Sequence, residues 1–166
     1  MTKPAASRRP AIRPALAAKV FKRDGWICQH CYAPVVFAPA LRLMETWATA
    51  RMPPGATPPA YWNKNWRRDR APLLDHLGAV VDHEVAYVRG GGIDEKNLVT
   101  ACNKCNIRKS DAFVEDHRKR HPKRKVRSVG AEPDAWDGLS LVFLELARQS
   151  PEALTANERA WVQALR

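Results

Sequence analysis

The sequence predicts an α+β fold: a two-strand hairpin running into a helix, clamped by a four-cysteine site, with a long insertion and two added C-terminal helices. Three observations predict it. Two CxxC pairs, Cys28-Gln29-His30-Cys31 and Cys102-Asn103-Lys104-Cys105, account for all four cysteines. Around the second pair the order is strand (Gly78 to Tyr87, with Ala79-Val80-Val81 and Val85), loop (from Arg89-Gly90-Gly91-Gly92), strand (Asn97-Leu98-Val99-Thr100-Ala101) and helix. Near the C-terminus Leu139, Val142, Phe143 and Leu146 recur at helical spacing, and Thr155-Ala156-Asn157-Glu158 is a capping box opening a last helix through Trp161, Val162 and Leu165.

The elements follow in order. Residues 1–14 (MTKPAASRRPAIRP) are basic and without period, which predicts a disordered arm whose Arg8, Arg9 and Arg13 are free for phosphates. Ala15 to Asp24 carries Leu16, Val20 and Phe21 on one helical face and stops at Gly25, a residue suited to a left-handed cap. Ala33 to Leu77 is an insertion: Leu41, Met44, Trp47 and Ala48 predict a packed helix, and a proline-rich loop follows. In the stretch from Tyr61 to Arg70, Trp62 and Trp66 are interleaved with Arg67 and Arg68, as a stacking and phosphate-contacting surface needs; the i, i+4 spacing of the two tryptophans suits burial of one helix face as well. The helix that begins inside the second knuckle is expected to run from Asn103 to about Lys119, since the stretch has few breakers and carries Ile107, Phe113 and Val114. Beyond it, HRKRHPKRKVR (117–127) has seven Lys or Arg and no acid, which assigns Arg118, Lys119, Arg120, Lys123, Arg124 and Lys125 to polyanion contact. The expected organisation is an arm over 1–14, a core domain over 15–128 interrupted by the insertion at 33–77, and a helical extension over 129–166 that packs on the core or on a second subunit as a homodimer.

Charge narrows the partner. The chain of 166 residues carries +11, and the last 36 residues, with three Arg against six Asp or Glu, do not contribute to it. Residues 1–130 hold 25 basic against 11 acidic residues, +14, which favours nucleic acid or an anionic membrane. No run of 18 apolar residues, signal core or lipidation motif is present, so nucleic acid is the expected partner, with no membrane and a cytoplasmic location. DNA is the first expectation; charge alone does not separate it from RNA.

Paired CxxC knuckles in a reducing compartment read as a structural Zn2+ site, because each two-residue spacer lets two thiolates face one ion at about 2.3 Å. A redox dithiol and two disulfides are the alternatives; the first wants a single CxxC in a βαβ setting, the second a secreted chain. Seventy residues separate Cys31 from Cys102. That distance is no obstacle: two further doublings of loop length cost about 1.2 kcal/mol, whereas structural zinc supplies on the order of 10 kcal/mol.

Asp82-His83 ends the first strand, Asn97 opens the second after 13 residues, and Asn106 follows the last cysteine after 8 more. The stretch VVDHEVAYVRGGGIDEKNLVTACNKCNIRKSD, with the first knuckle, resembles the core of the HNH endonucleases in their zinc-stabilised form, where DH, N and CxxCN follow one another. The resemblance implies a ββα-metal fold. It implies that His83 is the general base, that Asp82 and Asn106 hold one catalytic divalent cation, and that Asn97 braces the loop aiming His83, with Cys28, Cys31, Cys102 and Cys105 on a separate zinc. It does not account for the insertion at 33–77.

Those residue types suit phosphodiester hydrolysis to 5′-phosphate and 3′-hydroxyl ends. A neutral imidazole takes a proton near pH 7. A carboxylate and an amide oxygen leave positions on Mg2+ or Mn2+ for water and phosphate. Lys104, Arg108 and Lys109 beside Asn106 are expected to meet neighbouring phosphates or to be ordinary helix charges. One geometric difficulty stands: in a regular strand Asp82 and His83 face opposite sides. His30, His76, His117 and His121 receive no role. The competing class is a zinc-stabilised module that binds nucleic acid without cutting it.

Overall fold

Pro14, with φ already set for the first turn, opens α1 (Pro14–Arg23), and Gly25 at φ +62° turns the chain out of it, in a computed structural model that describes residues 10–110 and 136–166. The arm up to residue 9, including Arg8 and Arg9, residues 111–119 of the stretch expected to be helical, and the basic run at 117–127 lie outside the described residues. The further elements are α2 (Ala38–Thr49), α3 (Pro72–Leu77), β1 (Ala79–His83), β2 (Leu98–Cys102), α4 (Asn103–Lys109), α5 (Ser140–Gln149) and α6 (Ala156–Leu165), with short 3-10 turns at Tyr87–Arg89, Glu95–Asn97 and Pro151–Ala153. β1 and β2 form an antiparallel pair from Ala79↔Cys102 to His83↔Leu98. The first strand, expected over Gly78 to Tyr87, thus ends at His83, where the chain turns into the loop. The expected strand, loop, strand, helix order is present, and α4 does begin inside the second knuckle, but it stops at Lys109, where Ser110 at φ +49° turns the chain, instead of running unbroken to about Lys119.

The main core gathers segments far apart in sequence. Ala17, Ala18 and Phe21 of α1, Trp26 and Phe37, Phe143 and Ala147 of α5, and Val162 and Leu165 of α6 are buried together. Phe37 lies edge-on to Phe143 and Trp161 at 5.1 and 4.9 Å between ring centroids. Gly138 has no alternative here: a Cβ would sit 2.2 Å from the Trp26 ring, at a φ of +69°. The C-terminal helices therefore close the core of this chain. Arg42 of α2 pairs with buried Glu158 of α6 and donates to the Ala153 carbonyl at 2.8 Å, while the Thr155–Glu158 capping box is formed in full.

The insertion holds a second, smaller core of Val36, Ala38, Leu41, Ala71 and Leu74. Its helix is in the expected place, but the stripe is rotated: Leu43 is buried and Trp47 is exposed, with the Arg51 guanidinium 4.2 Å above its ring. The stretch carrying Trp62 and Trp66 is not helical. A turn at Asn63–Trp66, with Trp66 at φ +49°, breaks the i, i+4 relation, and both half-buried rings pack against the second core. Their reading as an open stacking surface is corrected accordingly.

Candidate active site

Local bonding fixes the first knuckle against the hairpin. At the end of α1 Arg23 donates to the carbonyls of Glu95 and Leu98, at 2.8 and 2.7 Å, and Asp24 accepts from the Thr100 amide at 2.7 Å. The Gln29 amide then donates to the Thr100 carbonyl at 2.8 Å, inside the knuckle itself. Cys28 and Cys31 are so brought to Cys102 and Cys105, with all four Sγ within 4.8 Å of one another and none in a disulfide. A tetrahedral zinc with bonds of about 2.3 Å needs Sγ separations of about 3.8 Å; Cys31 and Cys102 are at 3.9 Å. The set fits one structural zinc. Sharing of protons among the thiols, with Cys102 the strongest partner, draws Cys31 down to about 7 and lowers Cys28 as well.

The same packing brings His30, between the first two cysteines, onto β1. Its Nε2 lies 2.8 Å from Asp82 Oδ2, and both groups are buried. Lys109, from the last turn of α4, points inward and donates to Asp82 at 3.1 Å and to the His83 carbonyl at 2.7 Å. The His83 amide donates to Asp82 Oδ1 at 2.8 Å. Burial by itself would push the Asp82 carboxyl up; the His30 hydrogen bond and the Lys109 charge outweigh it and hold the group below the usual carboxylate range. Asp82 is thus an acceptor throughout, so His30 presents Nε2–H to it.

From sequence, Lys109 reads as one of a run of helix charges open to phosphate contact. At 1% exposure, with its ammonium spent on Asp82 and a carbonyl, it is instead an internal counter-ion. His30, given no role from sequence, is the other half of that arrangement. No pattern in the sequence marks it, because its partner is 52 positions away.

The ladder stays regular through His83↔Leu98, so alternation sends the His83 ring and the Asp82 carboxylate to opposite sides. The two residues are joined through backbone, by the His83 amide and by Lys109 bridging carboxylate and carbonyl. The His83 ring is 1% exposed. Asn106 is half-buried on the first turns of α4. Its neighbours differ: Arg108 is exposed, and Lys104 reaches to 3.4 Å from His76 on α3. Burial first, then Lys104, lowers the His76 pKa, against the opposing charge of Asp75 and with Arg108 and Arg68 adding to the lowering; Arg68 itself is paired with Asp75 at 3.0 Å.

Asn97 closes the loop after β1. Its Oδ1 accepts from the Val85 amide at 2.8 Å, and its Nδ2 donates to the carbonyls of Val85 and Gly92 at 3.0 and 2.8 Å. Gly91 lies under this brace, where a Cβ would meet the Val85 carbonyl oxygen at 1.7 Å. The loop that leaves His83 is thereby tied to the start of β2.

A catalytic divalent ion would require oxygens from Asp82 and Asn106. The donor types fit: an ionised carboxylate and an amide oxygen. A carboxylate offers about four acceptor positions, and His30, Lys109 and the His83 amide engage both of its oxygens. Lys109 Nζ lies 3.1 Å from each of the two oxygens, so an ion would share a carboxylate that an ammonium already balances.

Residues 72–112, from α3 through α4, match the family model of HNH endonucleases. The first knuckle, α2 and the C-terminal helices lie outside that match. No curated protein and no solved structure matches the chain.

Proposed function

We propose that the protein is a divalent-metal-dependent DNA endonuclease with His83 as general base, a reading supported by the match of residues 72–112 to the HNH endonuclease family model. The observation that supports this most is the hairpin itself, with Asp82-His83 at the end of one strand and Asn97 tying the following loop back to the other. In the proposed reaction a ring nitrogen of His83 takes a proton from water. The water oxygen bonds to phosphorus as the bond to the 3′ oxygen breaks, and solvent reprotonates that oxygen. The products are a 5′-phosphate and a 3′-hydroxyl. When bound, a cation held by Asp82 and Asn106 supplies positive charge at the phosphoryl oxygens. Asn97 acts as a positioning residue for the His83 loop. Lys104, Arg108, Arg67 and Arg68 contact flanking phosphates, and Arg118, Lys119, Arg120, Lys123, Arg124 and Lys125 extend that contact. A cytoplasmic location belongs to the same reading, and none of the described helices is long and apolar enough to cross a membrane.

A second reading has an observation of its own. A nearly inaccessible His83 and an Asp82 already neutralised by Lys109 suit a zinc-stabilised module that binds nucleic acid without cutting it. Supercoiled plasmid incubated with zinc-loaded protein separates the two. The endonuclease gives nicked and linear forms in Mg2+ or Mn2+ and none in EDTA, with ends that a ligase rejoins directly; the module shifts DNA at low salt and makes no ends.

A further inference from the structure

We infer that His30, carried by the first zinc knuckle, is a positioning residue for the reaction: its Nε2–H holds the Asp82 carboxylate, so that the zinc site sets the geometry of the cutting site. The inference rests on the endonuclease reading. Three observations carry it. His30 sits between two zinc-site cysteines, so its backbone is placed by the knuckle and by the Gln29–Thr100 hydrogen bond. Its ring is buried and reaches Asp82 Oδ2 at 2.8 Å. Lys109 holds the same carboxylate from α4, whose first turn carries Cys105 of the second knuckle. Asp82 is therefore gripped from both halves of the zinc clamp. A carboxylate held this way on both oxygens is fixed in one orientation, as outer-shell donors fix ligating groups.

An imidazole in a zinc knuckle has a bland role open to it, that of filling space. The two roles separate by substitution. His30→Leu keeps most of the volume and removes the donor; His30→Gln restores an N–H at similar reach. With holoprotein and plasmid DNA, His30→Leu is expected to lower kcat by roughly 10–100-fold, with KM for DNA and zinc content unchanged, and His30→Gln to recover most of the loss. Full kcat in His30→Leu overturns the inference, as does an equal loss in His30→Gln at full zinc content. If the unsubstituted protein does not cut, the endonuclease reading fails, and the link is then read by NMR of the histidine rings. A protected Nε2–H on His30 that vanishes in zinc-loaded Asp82→Ala supports the grip on Asp82; its absence from the unsubstituted protein overturns it.

Discussion

Replacing Lys109 by Met tests the reassignment of that residue from surface cation to internal counter-ion. The ammonium is fully enclosed, 3.1 Å from Asp82 and 2.7 Å from the His83 carbonyl oxygen. Methionine fills most of the aliphatic space, so the change isolates the charge. Asp82 is left with the His30 and backbone donors but no cation, and removing one partner of a buried pair costs about 3–5 kcal/mol. The midpoint of thermal unfolding should fall by roughly 10 °C, at about 2–4 °C per kcal/mol for a chain of this size. Urea unfolding of zinc-loaded protein measures the free energy directly. The paired change Lys109→Met with Asp82→Asn should recover a large part of it, because the stranded charge is gone. A phosphate-contacting lysine predicts the opposite pattern: unchanged stability, weaker DNA binding, and a salt dependence shallower by about 0.9 in the logarithmic slope. A Lys109→Met protein within about 1 kcal/mol of the parent would refute the counter-ion assignment, since that is below what a broken buried pair costs.

Further outcomes follow from the same structure. Cys28→Ser or Cys102→Ser should unfold the domain and abolish stoichiometric zinc, measured by circular dichroism and elemental analysis, because structural zinc contributes on the order of 10 kcal/mol; a variant melting like the parent would show the site misassigned. Burial raises the Glu158 pKa, but hydrogen bonds from Arg42 and Thr155 outweigh it and hold the group below its ordinary value. Its contribution is therefore complete above the unfolded-state pKa and lost as pH falls through the lower folded-state pKa. The stability gap between the parent and Glu158→Gln should narrow as pH drops below about 4.3, and a gap that widens on acidification would reverse the assigned sign. Asn97→Ala removes three hydrogen bonds that are partly open to solvent, costing about 2 kcal/mol. It should raise amide exchange in residues 84–92, and unchanged protection there would show that Asn97 is not what holds the loop.

The parts legible in the sequence were those encoded by short-range pattern. The CxxC spacing, the hairpin before a knuckle helix, the glycine stop after α1 and the Thr155–Glu158 capping box each depend on residues a few positions apart, and each is present. The parts that were not legible depend on which distant surfaces meet. Lys109 is read from sequence as one more exposed charge; only the docking of α4 on the hairpin turns it inward. His30 is defined by contact with Asp82, across the whole insertion. Trp62 and Trp66 show the reverse error, a helical spacing without a helix, because the turn at Asn63–Trp66 redirects the chain before a helix could form. The rotated stripe of α2 has the same origin, since two faces are in demand, one on the second core and one on α5.

In the proposed reaction His83 takes the proton from the attacking water. The most direct test of that role compares the parent and His83→Ala for plasmid nicking in Mg2+ or Mn2+, with zinc content, melting and DNA affinity measured on the same samples. The result expected is nicking by the parent alone, with zinc content and DNA affinity nearly equal and a variant that melts lower, because a buried ring is lost, but is folded at the assay temperature. Equal nicking by both proteins would contradict it.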